Sequence, residues 1–89
     1  MRSVSREDLI LYCREDESNG DLLESLAEAA EEYLTNGAGI TRRGSNAARY
    51  DLAVKAMTLH YLDNGLEAPI PGGIQEIINQ LKNSKPITN

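Results

Sequence analysis

Residues 46–64 read NAARYDLAVKAMTLHYLDN and lie in the longest run of the chain without Gly or Pro. Tyr50, Val54, Met57 and Tyr61 recur at i, i+4, i+7 and i+11, the spacing of one helical face. Leu52, Leu59 and Leu62 fall on a second face, and Ala53 and Ala56 fill the space between them. Only Asp51, Lys55, Thr58 and Asp63 remain as a narrow polar strip. A helix apolar most of the way round needs neighbours on several sides. In a chain of 89 residues those neighbours are its other helices or a second subunit. The helix would span ~28 Å at ~1.5 Å per residue. Ser45 or Asn46 is placed to cap its start, and Asn64-Gly65 to end it.

Working outward, the segment before it, DLLESLAEAAEEYLTN over 21–36, has a clear 3.6-residue period. Leu22, Leu26, Ala29 and Tyr33, together with Leu23, Ala27, Ala30 and Leu34, make a wide apolar stripe. Asp21, Glu24, Glu28, Glu31, Glu32 and Thr35 occupy the opposite side. Ser18 or Asn19 suits the N-cap, and Asn36-Gly37 suits a left-handed C-cap. A Gly-rich loop, 37–46, carries Arg42 and Arg43. Toward the N-terminus, Ser5 with Asp8 three residues on reads as a helix cap. Leu9, Ile10 and Cys13 then predict a short helix to about Arg14, whose charge suits the helix dipole, and a polar turn follows over 15–20. Residues 1–4 are expected to fray. On the far side, Pro69, Pro71 and two glycines exclude helix over 66–73, and Ile74, Ile77, Ile78 and Leu81 predict a last amphipathic helix to about Asn83. A loose polar tail is expected over 84–89. The expected fold is all-α: one small four-helix, bundle-like domain over 1–83 with one long central helix.

Forty percent hydrophobic and 26% charged residues are ordinary for a globular chain and argue against wholesale disorder. A net charge of −5 argues against broad nonspecific nucleic-acid binding, which needs a basic footprint. One Cys forms no intrachain disulfide. No run reaches membrane-span length, and the N-terminal stretch, whose apolar patch is short and runs at once into charges, does not read as a secretory signal, so no membrane partner is expected.

Chemistry is hard to place on this sequence. A Cys/His nucleophile pair or a metal site needs those residues together, yet Cys13 and His60 lie on different helices. His60 reads as a packed or half-exposed helix histidine and Cys13 as a small buried hydrophobe. The carboxylates of the second helix follow its exposed side, as a solvated or interfacial acidic face does. The loop at 37–44 lacks the spacing of a phosphate-binding loop and follows a helix rather than a strand. No enzyme, metal or cofactor is expected.

Charge is unevenly distributed. Residues 1–33 hold ten acids against three bases, whereas 42–55 hold Arg42, Arg43, Arg49 and Lys55 against Asp51. One end of a protomer can therefore complement the other end of a neighbour, the arrangement of a heterologous, ring- or filament-forming contact, while on charge alone the more frequent reading is that these charges merely solvate the surface. The candidate subunit or partner contacts are Glu28, Glu32, Arg42, Arg43, Arg49, Leu52 and Leu59, with the Leu52/Leu59 side of the long helix as the face for a neighbour.

The segment DLLESLAEAAEEYL resembles the signature helix of tailed-phage head–tail connector (adaptor) proteins, also described as phage DNA-packaging proteins. Cys13-Arg14-Glu15-Asp16 is similar to the Leu-Arg-x-Asp that ends the family's first helix, and Leu22-Leu23, Ala29-Ala30 and Tyr33-Leu34 follow in family order. Leu59-His60-Tyr61-Leu62-Asp63-Asn64 resembles the aromatic pair and Asn-Arg that end the third helix. Ile70-Pro71-Gly72-Gly73-Ile74 resembles the Ile-Pro-x-Gly turn into the last. Cys13 stands where the family has Leu, Gly65 where Arg is common, and the Arg42-Arg43 loop has no fixed counterpart. The resemblance implies a structural protein of the virion, made in the host cytoplasm. It implies a homo-oligomeric ring beneath the portal protein that extends the DNA channel and receives downstream tail-completion proteins, without catalytic residues. A small helical nucleic-acid-binding or protein-interaction module is the alternative. The ten-residue loop 37–46 is too long for the short turn of a helix-turn-helix reader.

Overall fold

Four α-helices, and no strand, make up residues 4–83, the part of the chain that the computed structural model describes. They are α1 (Arg6–Cys13), α2 (Gly20–Glu32), α3 (Ala47–Asn64) and α4 (Gly72–Asn83). The fold is therefore all-α with one long central helix, as the periodicity indicates. The tail over 84–89 and the first three residues lie outside the described part. Val4 does not fray as expected: it is buried in the core at 3% exposure.

Helix α1 starts where Ser5 accepts a hydrogen bond through its side-chain oxygen from the Asp8 N–H, 3.1 Å. It ends one residue earlier than expected. Arg14 is not in its last turn but beyond it, in left-handed conformation (φ 56°, ψ 44°), with its N–H bonded to the Ile10 carbonyl. Neither Ser18 nor Asn19 caps α2 through its side chain. A 3₁₀ turn, Glu17–Asn19, runs directly into the helix, and the Asn19 amide donates instead to Glu15 Oε1 at 2.7 Å. The far end of α2 also departs from expectation. It widens into a π turn, Tyr33–Gly37, and the left-handed glycine is Gly39 (φ 71°), not Gly37. The wider turn lets the chain fold back, so that the Ile40 N–H reaches the Leu34 carbonyl at 2.8 Å and Ile40 is buried.

Helix α3 begins without a side-chain cap as well. Asn46 is buried and staples the preceding loop: its Oδ1 accepts from the Arg43 N–H at 2.7 Å and its Nδ2 donates to the Thr41 carbonyl at 3.1 Å. Gly65 (φ 90°) ends α3, as the sequence indicates. Helix α4 begins at Gly72, directly after Pro71, so the two glycines expected to lie in the loop form its first turn.

The core is built where three helices meet, with α2 packed on α3 and α1 on both, while α4 docks on α3. Leu9, Leu23, Leu34, Val54, Met57 and Ile78 are fully buried, each stabilising the fold by about 1.5–3 kcal/mol. Ala27, Ala30 and Ala53, also fully buried, allow the backbones to approach closely. The predicted α3 face of Tyr50, Val54, Met57 and Tyr61 is inside throughout. Thr58 is not on a polar strip as expected. It is fully buried, its hydroxyl donating to the Val54 carbonyl one turn back at 2.7 Å.

Candidate functional site

The two helices that carry most of the candidate residues, α2 and α3, each turn one face inward and leave another partly apolar face outside. On α2, Leu23, Ala27, Ala30 and Leu34 are buried. Leu22, Leu26, Ala29 and Tyr33 start one residue earlier, and so lie ~100° further round the helix. This second set is only half covered: Leu26 and Ala29 are partly buried, but Leu22 is 48% and Tyr33 38% exposed. A shallow depression of about 490 Å³ runs beside it, lined by Ala29, Glu32, Tyr33, Asn36 and Gly37. Glu28 and Glu32 are exposed on the acidic side of the same helix.

On α3, Leu52 is 42% exposed and Leu59 half-buried against the core. The chain therefore leaves the Leu52/Leu59 side partly open rather than covering it. Lys55 stands between them at helical spacing, its ammonium 5.7 Å from the ring centroid of Tyr12 on α1, a cation–π contact. Arg49, one turn before Leu52, is exposed, and so is Arg43 in the loop. Neither guanidinium makes a hydrogen bond or ion pair to another described residue.

Arg42 behaves differently from its neighbour. Its guanidinium folds back on α3 and grips Asp51 with two hydrogen bonds, Nε to Oδ1 and a terminal nitrogen to Oδ2, both 2.9 Å. Those bonds raise the Arg42 pKa above its ordinary value against the opposing effect of desolvation, and Asp51, Tyr50 and Glu31 add their fields. The two loop arginines are thus separated: Arg42 clamps the loop to its own helix, and Arg43 faces outward.

A second clamp was not legible in the sequence. The Arg6 guanidinium of α1 lies across the start of α2, bonded to Glu17 Oε1 at 3.1 Å and Asp21 Oδ1 at 2.6 Å, with Glu24 Oε1 3.5 Å away. It passes over the buried Gly20, where a β-carbon would meet the guanidinium and make that flexible side chain shift. Part of the acidic character of the N-terminal third is thereby neutralised within the chain.

Cys13 is buried, and burial first, then Glu15 and Asp63, pushes its thiol pKa up, so it is held as the unreactive thiol. His60 is buried at 9% exposure; its Nδ1 lies 3.2 Å from the Asn64 amide nitrogen, and its Nε2 has no hydrogen-bond partner among the described residues. Among the described residues no group of three or more His, Cys, Asp or Glu is arranged to hold a metal ion. No helix among them is long and apolar enough to cross a membrane. What the geometry offers is partly open apolar faces on α2 and α3. The residues missed by sequence reasoning are Leu22 and Tyr33, and the signal that could have found them is the width of the α2 stripe, two rows where one packs. Comparison with family models, with curated proteins and with solved structures finds no match for this chain.

Proposed function

We propose that this chain is a head–tail connector of a tailed phage or prophage, a structural protein that assembles as a ring below the portal, extends the DNA channel and joins the tail. The observation that supports it best is that Leu22 and Leu52 stand open on two different helices, the first on an acid-rich helix and the second one turn after the exposed Arg49. Neighbours in a ring meet through two unlike faces, and such faces are what a heterologous contact requires. The residue-level resemblance running from Cys13-Arg14 to Gly73-Ile74 supplies the family, and the all-α element order fits it.

The role is mechanical, so it uses contact surfaces rather than a reacting group. Arg43 and Arg49 are the side chains available to a portal, a neighbour or lumenal DNA, while Arg42 serves the loop itself. The partners are the portal protein, further copies of this chain and downstream tail-completion proteins, and the place of action is the head–tail junction of the virion after assembly in the host cytoplasm. The test is to add purified chain to portal rings and to DNA-filled heads that lack a connector, then image by negative-stain microscopy. The expected result is an added ring of density at the portal and retention of DNA. Failure to bind portal-bearing heads sinks the proposal. A small nucleic-acid-binding module would instead bind duplex DNA without the portal, with an affinity falling steeply as salt rises.

A further inference from the structure

We infer that the half-open stripe of α2 (Leu22, Leu26, Ala29 and Tyr33, with Glu32 beside it) receives the outer face of α3 (Leu52 and Leu59, with Arg49 one turn before Leu52) from a second copy of this chain. The contact is the joint that the proposed ring would use, and in that role it rests on the connector reading. Its physical basis is independent of it. Both surfaces are apolar at the centre: Leu22 and Leu52 each expose more than two fifths of their area although the residues one position on, Leu23 and Ala53, are fully buried.

Their rims have opposite sign. Glu32 lies on the acidic side of α2 and lines the depression that Ala29 and Tyr33 also line. Arg49 is exposed one turn before Leu52, and its guanidinium makes no hydrogen bond or ion pair to another described residue. A second copy brings both features at once, an apolar knob for the stripe and a cation for its acidic rim, which complementary surfaces need in order to fix register. The two surfaces lie on different helices, so pairing them leaves one of each free at either end, and the association continues until it closes. Arg42 and Arg6 have no part in it, because both are engaged within the chain.

The test uses two variants, Leu22→Asp and Leu52→Asp, each at an exposed position, with circular dichroism to verify the helical fold. Sedimentation and native mass spectrometry are run on the wild type and on each variant alone and mixed, at concentrations up to ~1 mM to capture weak association. The wild type self-associates, each variant alone is monomeric, and the mixture forms a 1:1 heterodimer, since each supplies the face that the other lacks. Glu32→Arg weakens the wild-type association about tenfold, and mixing chains carrying Glu32→Arg with chains carrying Arg49→Glu recovers affinity. Four outcomes overturn the inference. They are a wild type monomeric throughout, a Leu52→Asp chain that still self-associates (the sign of an α2-to-α2 contact), a mixture that stays monomeric, and charge variants that show no recovery. A chain that binds portal rings yet fails the mixing test removes this contact and leaves the connector role. One that passes the mixing test and ignores the portal removes the role and leaves the contact.

Discussion

Helix α2 carries two apolar rows of the same length and nearly the same composition, and they have opposite fates. Leu23, Ala27, Ala30 and Leu34 are sealed against α1 and α3, with no exposed area. Leu22, Leu26, Ala29 and Tyr33 lie a hundred degrees away and are left half in water. The difference comes from where neighbours sit. Arg6 of α1 bonds to Glu17 and Asp21 and approaches Glu24, which places α1 over that flank of α2, and α3 covers the inward side. Helix α4, which might have covered the remaining flank, docks on α3. One helix is therefore a core element on one side and a partly open apolar surface on another, and hydrophobicity alone does not separate the two.

Substitution along the rows breaks or sharpens this contrast. Leu23→Ala removes a fully buried side chain and should lower stability by about 2–5 kcal/mol, measured by urea denaturation of the monomer. A loss below about 1 kcal/mol would mean that the inner row is not the core row. Ala30→Leu adds volume where none is free and should cost about 1–3 kcal/mol in the same measurement. Where the rows approach the central helix, pH supplies a third probe. Burial, then the field of Tyr33, pushes the Tyr61 pKa above its ordinary 10.0, and burial raises Cys13 above 9.0. A raised folded-state pKa stabilises the fold fully below the unfolded value and stops doing so as pH rises through the folded one. Stability should thus be indifferent to these groups near neutral pH and fall above pH 9, first through Cys13 and then through Tyr61. Tyr61→Phe should flatten the later part of that fall, as thermal melts across the alkaline range would reveal; an unchanged slope would place Tyr61 in contact with water. The smallest effect belongs to the outer row. Leu22→Ala should change monomer stability by less than about 0.5 kcal/mol while weakening self-association, and a large loss of stability would make Leu22 a core residue after all.

The four helices were legible because each carries a 3.6-residue apolar period between strong punctuation: Ser5, the Gly-rich loop, Gly65 and Pro71. The helix ends were less legible. Gly37 and Gly39 are equally plausible stops by residue type, and the π turn that chooses Gly39 depends on Ile40 reaching the core beside Leu34. Asn19 and Asn46 have the chemistry of caps but bond to Glu15 and to the loop instead, because those partners come within reach only once the turns have closed. Of the candidate contact residues, Leu52 and Arg49 could be placed outside from their position on the helix. Arg42 could not be told from Arg43, since the carboxylate that claims it, Asp51, is nine residues further along the chain.

What the sequence determined by itself is the all-α class, the order of the helices, the long central helix and its inward face, all consequences of local periodicity and of residues that forbid helix. Only the tertiary structure decided which of two adjacent apolar rows on α2 is core, that Thr58 is buried while Leu52 is not, and that Arg6 and Arg42 are bound within the chain. Periodicity describes a helix as a cylinder alone in solvent. Burial, and the pairing of a charge, are properties of the space between cylinders, and that space exists only after α1, α3 and α4 have taken their places.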